Sequence, residues 1–230
     1  MLFRSHPHNV AYIWYAPNHL RAFKRESYDL AGGYRPLFVL DDNDLMCRLY
    51  LQGRFVHISK PLYKQRIHAN NTQSIPATNA AIQTGTVDIY NQYIEQMCIA
   101  WAKRRDLHCL DLGAAHNPAP GFDGVDLNEG PGVKYVGDFL TLDLPPRSVG
   151  VIRANDFLEH IADKQAVIEK IYDLLADGGM LLSNTPSSGG RGAFQDPTHV
   201  SYWNPNSFWY YTDPFFWNFA PSDTRFQQSF

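Results

Sequence analysis

The hydrophobic and polar positions change period along the chain. Leu20–Leu30 alternates apolar and charged residues and predicts a short helix stopped by Gly32-Gly33. Asp44–Gln52 carries Leu45, Met46, Leu49 and Tyr50 at helical spacing, with Gly53 suited to a left-handed stop. Arg54–Ser59 and Leu62–Ile67 read as short strands. Residues 74–86, rich in Ser, Thr, Asn, Ala and Pro, read as a linker. Val87–Lys103 is amphipathic, with Tyr90, Ile94, Met97, Cys98 and Trp101 on one face. Short apolar runs then follow at Leu107–Leu112, Gly124–Leu127, Lys134–Val136, Val149–Ala154 and Met180–Asn184. One helix, Lys164–Leu175, precedes the last run and ends in an Asp177-Gly178-Gly179 turn. The pattern predicts a small α+β unit over 1–73, a linker over 74–86 and an α/β domain over 87–230.

The connections in the α/β part are short. Gly113 to Asp123 is eleven residues and Asn128 to Val133 is six. At about 3.3 Å per extended residue the six span roughly 20 Å, enough to return along a short strand without a helix. Part of one sheet face is therefore expected to be open, or covered by the first unit or a partner.

Charge supports the division. Residues 1–105 carry a net +6 and residues 106–230 a net −9 within a total of −3. The longest basic run is Lys103-Arg104-Arg105, so no nucleic-acid partner is indicated. Cys47, Cys98 and Cys109 form no CxxC pair and no zinc-type cluster, and read as buried thiols in a reducing compartment. The start, Met1-Leu-Phe-Arg-Ser-His-Pro-His, has no signal-peptide core, and no run approaches the ~20 apolar residues of a membrane span. A cytoplasmic location follows as the expectation.

The chemistry concentrates in Cys109-Leu-Asp-Leu-Gly-Ala-Ala-His-Asn-Pro118, Gly124-Val-Asp126 and Val136-Gly-Asp138. Each is an apolar run with carboxylates at or near its end, the way an open α/β sheet presents acids to a nucleotide-like ligand. An S-adenosylmethionine site suits this pattern. Asp126, ending the second strand, would accept both ribose hydroxyls. Gly113, Ala114 and Ala115 would let backbone approach the cofactor. Asp138 would meet the adenine amino group, and Asn155 or Asp156 would face the amino-acid portion or the methyl acceptor. Singly, each Asp is as readily a cap or turn residue; the ordered set, with Asp111 and the Gly178-Gly179 turn, is more specific.

Residues Cys109 to Thr212 resemble class I S-adenosylmethionine-dependent methyltransferases, and most of all a subgroup tied to polysaccharide and glycan biosynthesis. The resemblance rests on Leu110-Asp111-Leu112-Gly113, Asn117-Pro118, Gly124-Val125-Asp126, Gly137-Asp138, Leu158-Glu159-His160 and Leu175-Ala-Asp-Gly178-Gly179. It implies a Rossmann-like sheet, here cut short at its C-terminal side, with S-adenosylmethionine as cofactor. One departure is that Ala114-Ala115 stands where the subgroup has Cys-Gly. If that position needs positive φ, Ala115 is strained there and weakens cofactor binding.

The run Gly189-Gly-Arg-Gly-Ala-Phe-Gln-Asp196-Pro-Thr-His199 belongs to the same resemblance. His199 could act as the base for an acceptor hydroxyl, oriented by Asp196. Two ligands do not make a metal site, so no metal is assigned. Tyr202-Trp203-Asn204-Pro205-Asn206-Ser207-Phe208-Trp209-Tyr210-Tyr211 suits a sugar, with rings for its C–H face and amides for its hydroxyls. The same aromatics read equally well as core beneath the loop.

In the first unit, Pro17-Asn18-His19-Leu20-Arg21-Ala22-Phe23-Lys24-Arg25, Tyr28, Gly32-Gly33-Tyr34 and Leu40-Asp41-Asp42-Asn43-Asp44-Leu45 resemble the acceptor half of inverting family 2 glycosyltransferases. Gly53–Tyr63, Arg66-Ile-His68 and Asn70-Asn-Thr72 extend the resemblance. It implies that Asp42 is the base for an acceptor hydroxyl. From the residues alone, the Asp41–Asp44 stretch is an acidic cap on a helix N-terminus. The donor half is missing, so the chain is expected to be a window on a longer bifunctional polypeptide or the product of a shortened gene.

The leading expectation is an S-adenosylmethionine-dependent methyltransferase acting on a sugar or glycan. The alternatives are a family 2 glycosyltransferase fragment and a catalytically impaired cofactor-binding module. Expected partners are a small-molecule or glycan acceptor, with a homo-oligomer or contact with the missing glycosyltransferase half left open.

Overall fold

A computed structural model describes residues 20–37, 39–56, 58–64, 74–115, 117–219 and 222–227, together with 7, 66, 68 and 71. The readings made on Pro17, Asn18, His19, His57, Ile67, Asn70, Thr72 and His116 lie outside the described residues. The chain divides into two compact units, Met1–Trp101 and Ala102–Phe230.

Among the described residues the first unit contains α1 (Arg25–Leu30), α2 (Asp41–Gln52) and most of α3 (Pro76–Lys103). α2 begins three residues before the predicted start, with Asp41, Asp42 and Asp44 in its first turn, where the helix dipole favours acids. Gly32 and Gly33 take left-handed φ of 77° and 65° after α1, whereas Gly53 is extended at −172°, not left-handed. One core cluster joins Cys47 and Tyr50 of α2 to Ile89, Tyr93 and Met97 of α3.

Two expectations fail here. The segment read as a linker is helical from Pro76 onward. Proline is accepted at a first helical position, where its missing N–H has no partner to lose. Gly85 is tolerated inside α3 because Leu40 packs onto it: a Cβ there would lie 2.9 Å from Leu40 Cδ1. The two strands expected between Arg54 and Ile67 are absent among the described residues, so the described part of this unit is all-helical rather than α+β. Val56, Ile58 and Leu62 are exposed. Apolar alternation makes a strand only where another strand supplies hydrogen bonds and a covered face.

The second unit is built on a five-stranded, all-parallel sheet of order β3-β2-β1-β4-β5. Its strands are β1 (His108–Leu112), β2 (Asp123–Asp126), β3 (Val133–Val136), β4 (Val149–Asn155) and β5 (Leu175–Asn184). The fold is α/β and compatible with a Rossmann-like architecture. α4 (Lys164–Leu174) starts at Asp163, whose side chain accepts the Ala166 amide, and buries Val167, Ile168, Ile171 and Leu174. That stripe packs with Leu110, Leu112, Val125, Val149, Ile152 and Ala154 into one core. Gly150 keeps β4 close to the chain entering the sheet: a Cβ there would lie 2.5 Å from Ala102 Cβ.

Asp177-Gly178-Gly179 is not a turn ahead of the strand but a bulge within β5. Between the pairs Val149↔Leu175 and Val151↔Met180, residues 176–179 oppose Gly150 alone, with Gly178 at φ 78°. No helix separates β2 from β3, and β3 alternates half-buried Val133 and Tyr135 with exposed Lys134 and Val136. Lys134 and Val136 leave one face of this edge strand open among the described residues, one of the alternatives the six-residue link allowed. No helix among the described residues is long and apolar enough to cross a membrane.

Candidate functional site

Parallel strands bring their carboxyl ends to one edge, so the order β3-β2-β1-β4-β5 lines up the residues that follow each strand. The turn after β1 is tied to the end of β2. The Gly113 and Ala114 amides donate to the Val125 carbonyl at 2.9 and 3.3 Å. Gly113 lies at φ 67° and Ala115 at φ 50°. The positive φ that a glycine would relieve is therefore borne by an alanine. Asp126 closes this turn, accepting the Ala115 amide on Oδ2 at 2.8 Å and the Asn128 amide on Oδ1 at 2.9 Å. The Gly137 amide donates to the Asp126 carbonyl at 2.8 Å, which brings the end of β3 alongside. Asp138 accepts the Leu140 amide at 2.9 Å in a local turn. Asn155 ends β4 opposite Asn184, the last residue of β5.

The topology thus puts Gly113, Ala114, Ala115, Asp126, Asp138 and Asn155 on one sheet edge. Asp111 stands apart from them. It lies one residue inside β1, is 2% exposed, and faces Arg153 in register on β4. Arg153 Nη1 donates to both of its oxygens at 2.9 and 3.0 Å, and the Ala119 amide donates to Oδ2 at 2.8 Å. Asp111 holds β1, β4 and the following loop together.

A second constellation follows β4, where a 3-10 turn spans Leu158–His160. The Glu159 carbonyl accepts the amides of Val200 and Ser201 at 2.9 and 3.0 Å, folding the 196–203 segment back onto this turn. His160 and His199 meet edge to face with ring centroids 5.0 Å apart. Glu159, His160 and His199 each offer a ligand-type atom within 4.8 Å of the others. Sequence reading passed over this group. The Glu159-His160 pair was visible, but the return of His199 depends on backbone hydrogen bonds that carry no side-chain signature.

Asp196 does not orient His199. Its Oδ2 lies 4.0 Å from Nε2, beyond hydrogen-bonding distance, and the ring is held instead by Nδ1–H donating to the Ala193 carbonyl at 3.0 Å. Asp196 organises its own loop, accepting the Thr198 amide at 2.8 Å and hydroxyl at 2.6 Å. Those hydrogen bonds, the hydroxyl's first, hold its carboxyl below the usual carboxylate range.

The aromatic run divides between its two readings. Trp203 and Tyr211 are core residues, whereas Tyr202, Trp209 and Tyr210 remain exposed. Asn204 is structural: it caps a 3-10 turn at Pro205–Phe208 and its amide donates to Ser188 Oγ at 3.0 Å. A groove beside this region is lined by Ala162, Asp163, Lys164, Val200, Ser201 and Tyr202, and holds none of the residues expected to bind cofactor. Burial lowers the Lys164 ammonium below its ordinary range; its head lies 4.8 Å from the Trp203 ring centre.

In the first unit, Asp42 lies in the first turn of α2 and accepts Arg21 Nη1 at 2.5 Å and the Asn43 amide at 2.8 Å. Its neighbour Asp44 is buried with Arg48, at 2.6 Å from Nη2, and accepts the Tyr93 hydroxyl at 2.7 Å. Both acids have partners that fit a helix start and a buried polar network.

No protein-family model matches the chain, and neither the curated proteins nor the solved structures hold a match to it.

Proposed function

We propose that residues 102–230 bind S-adenosylmethionine and transfer its methyl group to a hydroxyl of a sugar or glycan. The observation that carries this reading is Asp126, a carboxylate at the carboxyl end of β2 beside a backbone turn with two positive-φ residues. Each of its oxygens accepts one amide, and a carboxylate oxygen has two acceptor positions, so two hydroxyls of a ribose can still be bound. Asp138, two residues past the end of neighbouring β3, and Asn155, at the end of β4 beyond β1, flank that position along the edge. The cofactor would supply the electrophilic methyl on its sulfonium. The chain's part is to hold the ribose at Asp126, admit the backbone of residues 113–115 close to the ligand, and take the acceptor proton. His199 suits the last task, because its Nδ1–H is engaged by Ala193 and Nε2 keeps its lone pair.

Calorimetry with S-adenosylmethionine and with a UDP-sugar tests the reading. Binding of the methyl donor, weakened at least ~100-fold in Asp126→Ala, is expected from the loss of two hydroxyl bonds of about 1.5–3 kcal/mol each. An equal melting temperature in the variant would show that the turn survives without its carboxylate. Binding of the nucleotide sugar alone, or of neither compound, overturns the proposal.

A further inference from the structure

We infer that Glu159, His160 and His199 form a binding site for one divalent first-row transition-metal ion. Glu159 is 2% exposed. Its Oε2 accepts the Thr185 hydroxyl at 2.9 Å, while Oε1 is buried with no hydrogen-bond partner among the described residues. A carboxyl oxygen left without a partner in the interior is unfavourable and rare, and a cation beside it removes the penalty. The two imidazoles lie close enough to share such an ion with it.

The tautomers follow from the acceptors. His199 Nδ1 faces the Ala193 carbonyl at 3.0 Å, and a carbonyl only accepts, so Nδ1 carries a proton and Nε2 is the nitrogen that can offer a lone pair to an ion. His160 Nδ1 lies 3.2 Å from both the carbonyl and the hydroxyl oxygen of Thr198. The Thr198 hydroxyl donates its proton to Asp196 at 2.6 Å, which leaves it an acceptor toward His160. With Nδ1 engaged in both rings, Nε2 is the ring nitrogen each has to offer to an ion, and the ligand-type atoms of the three residues lie within 4.8 Å of one another. A histidine ligand usually has its other ring nitrogen fixed on a carbonyl or carboxylate, as both rings do here.

The donor set selects the ion. Two imidazoles and one carboxylate suit Zn²⁺, Co²⁺ or Fe²⁺, whereas Mg²⁺ and Ca²⁺ prefer oxygen ligands. Three protein ligands leave coordination positions for water or an oxygen of a bound molecule, and His160 is on the exposed side of the cluster. The 4.8 Å spread of the ligand atoms is wider than bound ligands show, so side chains must draw together on binding. With an ion in place His199 is a ligand and no longer a proton acceptor. A metal-bound hydroxyl would then lose its proton more readily, and the base role would pass to solvent. Metal binding itself does not depend on the methyltransferase reading.

The test titrates Co²⁺ into the untagged full chain after chelator treatment, followed by d–d absorption, with Zn²⁺ as competitor. One ion per chain is expected, displaced by Zn²⁺. Affinity should fall at least 100-fold in both His160→Ala and His199→Ala, and about 10-fold in Thr198→Val through the lost support of the His160 ring. His160 is exposed, so its variant keeps the test valid if the Glu159→Gln or His199→Ala chain fails to fold. Absence of saturable Co²⁺ binding, or binding unchanged in His160→Ala, overturns the site.

Discussion

Arg153→Met is the substitution whose consequence is most directly worked from the structure. Arg153 and Asp111 face each other in register on β4 and β1. The guanidinium satisfies both carboxylate oxygens, and the Ala119 amide is the other donor to Asp111 among the described residues. Methionine keeps most of the side chain's apolar volume but leaves a carboxylate 2% exposed with a single amide. Breaking a buried pair in this way costs about 3–5 kcal/mol. The Arg153 side chain is 25% exposed, so water can reach part of the vacated space. We therefore expect a loss of about 2–3 kcal/mol, at or just below the lower end of that range. Removing the carboxylate as well should recover most of it. Asp111→Leu with Arg153→Met replaces the pair by apolar side chains, and the Ala119 amide loses its acceptor, about 1 kcal/mol. Equilibrium urea unfolding of the four members of the cycle gives the coupling, expected near 2 kcal/mol. A loss below 1 kcal/mol for Arg153→Met alone, or a double variant no more stable than that single one, would refute the assignment of Asp111 as a structural anchor.

Three further outcomes follow from local geometry. Ala115→Gly should stabilise the second unit by about 0.5–1 kcal/mol, since relief of a left-handed alanine outweighs the added freedom of the unfolded chain; thermal melts check it, and destabilisation would contradict the positive φ. Gly150→Ala should destabilise by about 3 kcal/mol, because the new Cβ meets Ala102 Cβ at 2.5 Å and Leu107 Cβ at 3.0 Å; urea midpoints measure this, and a neutral result would contradict the close approach. Burial pushes the Cys47 thiol up to about 12 and the Cys109 thiol to about 11, so neither should react with a thiol reagent at pH 8 in the native state. Mass spectrometry after labelling should find both unmodified until denaturant is added, and rapid native labelling would contradict their burial.

The parallel sheet was legible because each inner strand is a short, nearly unbroken apolar run: Leu110 and Leu112, Val149, Val151 and Ile152 are all buried. The edge residues were legible for a related reason, since a carboxylate or amide closing such a run can lie only at the strand's end. What failed was decided by neighbours distant in sequence. Val56, Ile58 and Leu62 alternate as a strand would, but no partner strand covers them among the described residues. Pro76 and Gly85 resemble linker residues, yet one sits at a helix start and the other makes room for Leu40. Asp111 belonged to the cofactor set on paper because composition cannot show that Arg153 lies opposite it. Asp196 looked like the orienter of His199 from a spacing of three residues, but the loop turns its oxygens to Thr198 instead.

The 158–160 turn and the returning 199–203 segment behave as one piece, which governs what either can do. Five hydrogen bonds stitch this region: Val200 and Ser201 amides to Glu159, Ser201 Oγ to Leu158, Trp203 Nε1 to Ser201 Oγ, and the Ser188 amide to Trp203. Trp203 is 1% exposed and stacks with Phe208, so the segment is anchored in the core of the second unit. His199 is thereby fixed relative to His160 by backbone, not by the contact between their rings. Asn155 and Glu159 are four residues apart on the same run of chain leaving β4. A ligand at the strand ends and a ligand at the two imidazoles would therefore act on a single stiff support. Movement of the 199–203 backbone away from the 158–160 turn requires breaking hydrogen bonds at about 1 kcal/mol each, with the larger penalty of unpaired buried groups added. Small side-chain adjustments, rather than loop opening, are the physically accessible way for this cluster to close on an ion.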